Sequence, residues 1–268
     1  MSERRFARDT ILLAGLVAVC AVSVGCGKKD KKDLQAYATA QELYDEGSRH
    51  LAERDLNKAR RVLEQVYYTP EDRARLEPLV RLRIADAVFY QGTDLALIDA
   101  RSLYLDFVTL YGDHSEAPYA QFQAGVSSLG QGNDPTRDQS QTLRAIQDFR
   151  VVIDRFPDSR YAIAARDMIG SAESKLAEHE FVVGRFYMKK KAWEAAANRF
   201  KVVVERYPSY RDKDKLYFNL GKALIRGNSA PEGRIYLDKL LKDYPKSDYI
   251  KEANGLLAEK PAVDSAEG

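Results

Sequence analysis

From Leu34 onward, apolar residues recur every three or four positions. No stretch keeps the period of two that a half-buried strand requires. The pattern predicts helices throughout, and the clearest unit runs from Phe181 to Pro208. Gly184 and Tyr187 fall in a first helix, and Ala196, Phe200 and Val203 in a second. Small side chains at 184 and 196 let two antiparallel helices approach closely, while Tyr187, Phe200 and Val203 fill the seam and the joint to the next unit. Pro208 lacks an N–H and biases its predecessor away from helix, so the second helix stops there.

The same register returns along the chain. Ala145, Phe149, Val152 and Pro157 make one copy, and Leu220, Gly221, Leu224, Gly233, Leu237, Leu240 and Pro245 another. Gly47, Ala59, Leu63 and Val66, ending near Pro70, make a third, and Ala100, Tyr104 and Phe107, ending near Gly112, a degenerate fourth. These are the spacings of the tetratricopeptide helix-turn-helix unit. The expected fold is all-α: a tetratricopeptide superhelical solenoid of about five units, with units one and two over 34–113 and units three to five over 114–258.

The closing turns also repeat: Arg155-Phe156-Pro157-Asp158-Ser159, Arg206-Tyr207-Pro208-Ser209, Asp243-Tyr244-Pro245-Lys246-Ser247 and, with Gly112 for proline, Leu110 to Ser115. The aromatic is expected under the turn, and the serine is placed to cap the next helix. The run Gly130-Gln131-Gly132-Asn133-Asp134-Pro135 interrupts helicity and begins a loop reaching about Gln141. The stretch 159–180 holds more helix than one unit needs and reads as an extra or elongated helix. The tail from Glu259 is polar and is expected to be disordered.

The first 25 residues read differently. Arg4, Arg5 and Arg8 precede an uncharged apolar run, Ile11 to Val24. A membrane-spanning helix needs ~20 residues, so this run reads as a secretory signal. It ends Val22-Ser23-Val24-Gly25-Cys26-Gly27, which resembles a bacterial lipoprotein signal. Cleavage would follow Gly25 and Cys26 would carry the lipid. The alternative is an ordinary signal cut near the same place, with Cys26 a free thiol. Lys28-Lys29-Asp30-Lys31-Lys32-Asp33 reads as a charged tether, with 26–33 linking lipid to fold.

Composition narrows the chemistry. Lysine and arginine number 42 against 40 acids, a net charge of +2, which gives no strong global attraction to nucleic acid. Two cysteines exclude a disulfide scaffold and a four-cysteine metal site. His50, His114 and His179 fall on different units without ligand spacing. There is no Gly-x-Ser-x-Gly and no HExxH motif, so no enzymatic activity, metal or cofactor is expected. Tyr187-Met188 beside Lys189-Lys190-Lys191 would suit a nucleic acid, but the run falls in the turn between the helices of unit four and reads as a solvated loop.

First-helix residues of such units line a concave groove, here Gln41, Tyr44, Ser48 and Leu51 in unit one and Leu82, Ala85 and Phe89 in unit two. A groove of aromatic and modestly polar side chains suits an extended peptide.

The order of the motifs carries a resemblance over roughly residues 26–250. A lipobox and short charged tether are followed by Tyr37-Ala38-Thr39-Ala40-Gln41 and five repeats. Arg137-Asp138 precede the helix of Ala145 and Phe149, and Ala192-Trp193 through Asn198-Arg199 lie in unit four. This resembles the BamD (ComL) family, tetratricopeptide lipoproteins of the outer-membrane β-barrel assembly machinery. The resemblance implies a non-catalytic scaffold, lipid-anchored at the outer membrane and facing the periplasm. It implies that the first two units receive segments of unfolded outer-membrane proteins. Units three to five would bind a BamA-like barrel-forming subunit, alongside other lipoproteins of the complex. Arg199 matches the family position that pairs with an acidic residue of that subunit, with Trp193 and Asn198 beside it. A pilotin-like lipoprotein that chaperones secretin assembly, or a regulator of cell-wall enzymes, is built from the same repeats.

Overall fold

The structure, a computed structural model, describes residues 39–132 and 134–259. The segments read as secretory signal and tether, Cys26 and the tail beyond Glu259 lie outside the described residues. The chain from Thr39 forms one compact unit, all helix and turn, with no strand among the described residues. Its helices are α1 (Ala40–Ala52), α2 (Leu56–Leu63), α3 (Pro70–Phe89), α4 (Asp94–Leu110), α5 (Ala117–Gln131), α6 (Ser140–Arg155), α7 (Arg160–Lys189), α8 (Trp193–Arg206), α9 (Lys213–Arg226), α10 (Ala230–Asp243) and α11 (Ile250–Ala258).

Each helix packs chiefly on its sequence neighbours. The ten helices α1 to α10 therefore form five antiparallel hairpins, and α11 closes the last. First helices also touch across hairpins: α1 on α3, α5 on α7, α7 on α9 and α9 on α11. One layer thus consists of first helices and the other of second helices.

A small-to-large contact fixes the spacing within a hairpin. A Cβ placed on Gly47 would lie 2.6 Å from Leu63 Cγ, one on Gly184 2.6 Å from Phe200 Cε1, and one on Gly221 2.6 Å from Leu237 Cδ2. In each case the large residue comes sixteen positions after the glycine. In the third hairpin the partner of Gly125 is Phe149, at 2.5 Å and twenty-four positions on. Five of the eight extra residues lengthen the connection between the helices, which runs over 132–139 instead of three residues, and three lie within α5 and α6. The interruption is thus narrower than the stretch 130–141 read from the sequence, because α5 continues through Gly130 to Gln131 and α6 begins at Ser140.

Four of the five hairpin turns share one device. The residue before the second helix's N-cap has positive φ: Arg54 (63°), Gly92 (70°), Lys191 (59°) and Asn228 (65°). After it, the N–H of Asp55 donates to His50 O (3.0 Å), that of Ala192 to Tyr187 O (3.0 Å) and that of Ser229 to Leu224 O (2.8 Å). These bonds satisfy carbonyls that the helix end would otherwise leave open.

The closing turns follow the sequence reading at the aromatic. Phe156, Tyr207 and Tyr244 end α6, α8 and α10, each donating its N–H four residues back. The serine expectation holds at Ser159 only, whose Oγ accepts from Ala162 N at 3.3 Å. Ser247 instead donates to Asp214 Oδ2 at 2.6 Å, and α11 starts three residues later. Pro70 is not a closing proline. It occupies the first turn of α3 behind the Thr69 cap, where a missing N–H removes nothing. The surplus helix of 159–180 is continuous with the next unit: α7 is a single helix of 30 residues. Ala165, Ala172 and Leu176 pack with Phe149 of α6, and Ala177 and Phe181 with Phe200 of α8. The Phe181 and Phe200 centroids are 5.4 Å apart.

Candidate functional site

The second and third hairpins meet around one carboxylate. Asp86 stands on the apolar face of α3, between Ala85 and Ala87, and is 2% exposed. Its Oδ1 accepts from the hydroxyls of Tyr104 (α4) and Tyr119 (α5), both at 2.8 Å, and its Oδ2 from Arg83 Nη1 at 2.8 Å. The tyrosine rings meet edge to face at 6.2 Å, and Gln123 donates to the Tyr119 oxygen at 3.0 Å. Burial first, and the Asp86 charge second, raise the pKa of both phenols. Burial disfavours the Arg83 cation, but the hydrogen bond to Asp86 and its negative charge outweigh it, and its pKa stays above the ordinary value.

An open cleft of about 370 Å³ lies over this cluster. Ser48, Leu51, Ala52 and Arg54 form one wall, and Arg83, Asp86, Tyr90 and Tyr119 the other. The Arg54 guanidinium stacks 4.0 Å above the Tyr90 ring, joining the first hairpin turn to the second. Ser48 Oγ is buried without a hydrogen-bond partner. A buried hydroxyl with unused capacity, a fixed cation and aromatic walls can hold the main chain and one side chain of an extended segment.

The structure treats the sequence-derived groove residues differently. Ser48 and Leu51 line the cleft, and Tyr44 is not among its lining residues. Gln41 lies two turns earlier on α1, its amide donating to Asp45 Oδ1 (2.9 Å) and accepting from Arg75 Nη1 (2.6 Å). Phe89 does not line the cleft; it packs edge to face on Tyr104 at 6.3 Å, in the α3–α4 seam. Leu82 and Ala85 are wholly buried core rather than groove. Asp86, Arg83, Arg54 and Tyr119 were missed. Asp86 did leave a signal, a lone acid inside the apolar run Ile84 to Val88.

In the fourth hairpin, Arg199 of α8 pairs with Glu180 of α7 at 3.0 Å. Its side chain is 43% exposed and uses one nitrogen in that bond. Asn198 is exposed beside it. Trp193 opens α8 and lines a shallow hollow of about 260 Å³ with Arg185, Met188, Lys189, Asn219 and Lys222. Six residues separate Trp193 from Arg199, about 9 Å along the helix and about 120° around it. The two therefore do not share one face. Among the described residues, no group of three or more histidine, cysteine or acidic side chains could hold a metal ion. No helix there is long and apolar enough to cross a membrane.

Stacked helical hairpins whose polar groups meet in an open cleft define a tetratricopeptide-type repeat protein. The chain belongs to the YfiO family of outer membrane lipoproteins, whose model matches residues 36–231. It is similar to the outer membrane protein assembly factor BamD of Rickettsia prowazekii, with 28% identity over 249 residues, covering 92% of this chain and 97% of that one. It is similar at 27% identity to the factor of the same name from Caulobacter vibrioides, covering 96% and 84%. Among solved structures, a TPR2AB-domain complex of yeast Sti1 aligns with a TM-score of 0.43 and 17% identity, covering 82% and 83%.

Proposed function

We propose that the protein is a non-catalytic scaffold of outer-membrane protein assembly, held by a lipid on Cys26 at the outer membrane and facing the periplasm. The observation that carries this reading is the family match over 36–231, with relatives of the same name along nearly the whole chain. In this reading the cleft of Ser48, Arg54, Arg83 and Tyr119 receives extended segments of unfolded outer-membrane proteins. The hairpins from residue 114 onward bind the BamA-like barrel-forming subunit and other lipoproteins of the complex, with Arg199 and Asn198 at the contact. The partial exposure of Arg199 and its unused donors support that role, because it can keep Glu180 and still meet a second carboxylate.

Affinity purification from detergent-solubilised envelope tests the reading. The barrel-forming subunit should be recovered with the chain, and a clean preparation lacking it counts against the scaffold. For the cleft, a photocrosslinker at Tyr90 should trap unfolded outer-membrane proteins, and Arg83→Gln should reduce the yield. Equal yields from a crosslinker on the exposed face of α10 would remove the cleft from the reading.

A further inference from the structure

The turn of the fourth hairpin carries a feature that this reading does not use. From Arg185 to Trp193 the chain reads Arg-Phe-Tyr-Met-Lys-Lys-Lys-Ala-Trp, with four cations and no acid. Several cations elsewhere pair within the fold: Arg49 with Glu53, Arg60 with Glu64, Arg81 with Glu77, Lys201 with Glu232 and Lys222 with Glu252. Among the described residues, no carboxylate lies within ion-pair distance of Arg185, Lys189, Lys190 or Lys191, and all four are exposed. Phe186, at 55% exposure, projects among them with the Lys190 ammonium 5.8 Å from its ring centroid. Trp193 stands half-buried on the other side of the turn.

We infer that this hairpin tip is an interfacial membrane-contact surface that takes anionic phospholipid headgroups. Unpaired lysines give long-range attraction to an anionic bilayer, while their stems and the rings of Phe186 and Trp193 suit the boundary between headgroups and acyl chains. Charge complementarity favours a bilayer over an acidic polypeptide. The cations fan around a tip, and Lys190 and Lys191 are not among the residues lining the shallow hollow beside Trp193. A peptide would need them along a groove. The inference rests on the membrane address proposed above. The tip would set which way a lipid-tethered stack of hairpins lies on its bilayer.

Trp193 is the only tryptophan of the chain, so its fluorescence reports the tip directly. The full lipidated chain is reconstituted in vesicles of phosphatidylcholine alone and in a two-to-one mixture with phosphatidylglycerol. The expected result is a blue-shifted Trp193 emission, quenched by brominated acyl chains, in the mixture only and reversed by high salt. Each lysine near an anionic surface multiplies affinity roughly fivefold, so the variant Lys189→Gln, Lys190→Gln, Lys191→Gln should lower it roughly a hundredfold. Phe186→Ser should weaken quenching while leaving the salt dependence. Both changes are on exposed side chains, and helix content by circular dichroism checks the fold. Identical emission on both vesicles, with the chain sedimenting on both, overturns the inference. So does a shift produced by polyglutamate but not by phosphatidylglycerol, which would assign the tip to an acidic polypeptide. A chain that fails to sediment with phosphatidylcholine refutes the anchor instead. Sedimentation and blue shift must then still appear together on the mixed vesicles, and their absence overturns the inference.

Discussion

Arg101 of α4 grips Asp148 of α6 with both prongs of its guanidinium, Nε to Oδ2 at 2.8 Å and Nη2 to Oδ1 at 2.9 Å, across the intervening α5. From α5, Ser128 Oγ donates to the same carboxylate at 3.2 Å, and Gln121 Nε2 to the Asp148 carbonyl at 3.1 Å. Three helices of two hairpins therefore share one acid, whose side chain is 9% exposed. Asp148→Ala strips the carboxylate partner from Arg101 and Ser128, while the bond from Gln121 to the backbone carbonyl of residue 148 stays. It should destabilise the protein by roughly 2–4 kcal/mol, less than a wholly buried pair because Arg101 keeps some solvent. Chemical denaturation checks this; a loss under about 0.5 kcal/mol would mean the network is decorative.

The Gly184–Phe200 contact sets the thickness of the fourth hairpin. Gly184→Ala gains helix propensity but drives a methyl into a ring that is wholly buried. Overpacking should prevail, with a net loss of about 1–3 kcal/mol. Combining it with Phe200→Leu should cost less than the sum of the single changes. Strict additivity in the double-mutant cycle would show that the two positions do not touch.

Lys191 holds a left-handed backbone that a side chain tolerates poorly. Lys191→Gly should raise stability by about 0.5–1 kcal/mol, since the strain relieved exceeds the chain freedom gained in the unfolded state. Arg54→Gly should gain less, because it gives up the stacking on Tyr90. Thermal melts of the two variants compare them directly, and an equal gain at both sites would mean the Arg54–Tyr90 contact contributes nothing.

Tyr104 and Tyr119 have pKa values raised above the ordinary phenol by burial and by the Asp86 charge. Below the unfolded value of about 10, both states hold these protons and stability is unaffected. Above it the unfolded chain loses protons that the native state keeps, so stability falls by up to about 1.4 kcal/mol per pH unit for each tyrosine. Tyr119→Phe should flatten the alkaline slope. An unchanged slope would separate that phenol from the transition.

Arg199→Gln removes the charge and leaves a shorter, polar, uncharged side chain. It should weaken association with the barrel-forming subunit by about 1–2 kcal/mol while shifting intrinsic stability by less than about 1, because the Glu180 pair is half exposed. Arg199→Glu is a poorer probe, since it sets two carboxylates together and loosens the hairpin itself. Unchanged co-purification of the glutamine variant would take Arg199 out of the interface.

Much of the fold was legible because tetratricopeptide packing is local. Gly184, Ala196 and Phe200 lie within one hairpin, so the spacing that makes them meet is written in consecutive residues. The cleft was only half legible. Ser48 could be placed from helical period alone. Phe89 could not, because period gives a face and not which neighbour covers it, and Tyr104 covers it from the next helix.

By itself the sequence determined the helical period, the repeating hairpin pattern and the aromatic turns that close the third, fourth and fifth hairpins, since all of these depend on interactions a few positions apart. Tertiary structure alone decided that Asp86, a local neighbour of Arg83 on α3, would also gather Tyr104 from α4 and Tyr119 from α5, and that Asp148 would meet Arg101 forty-seven residues away. A buried charge is tolerable only where its partners converge, and no local spacing specifies convergence between separate hairpins.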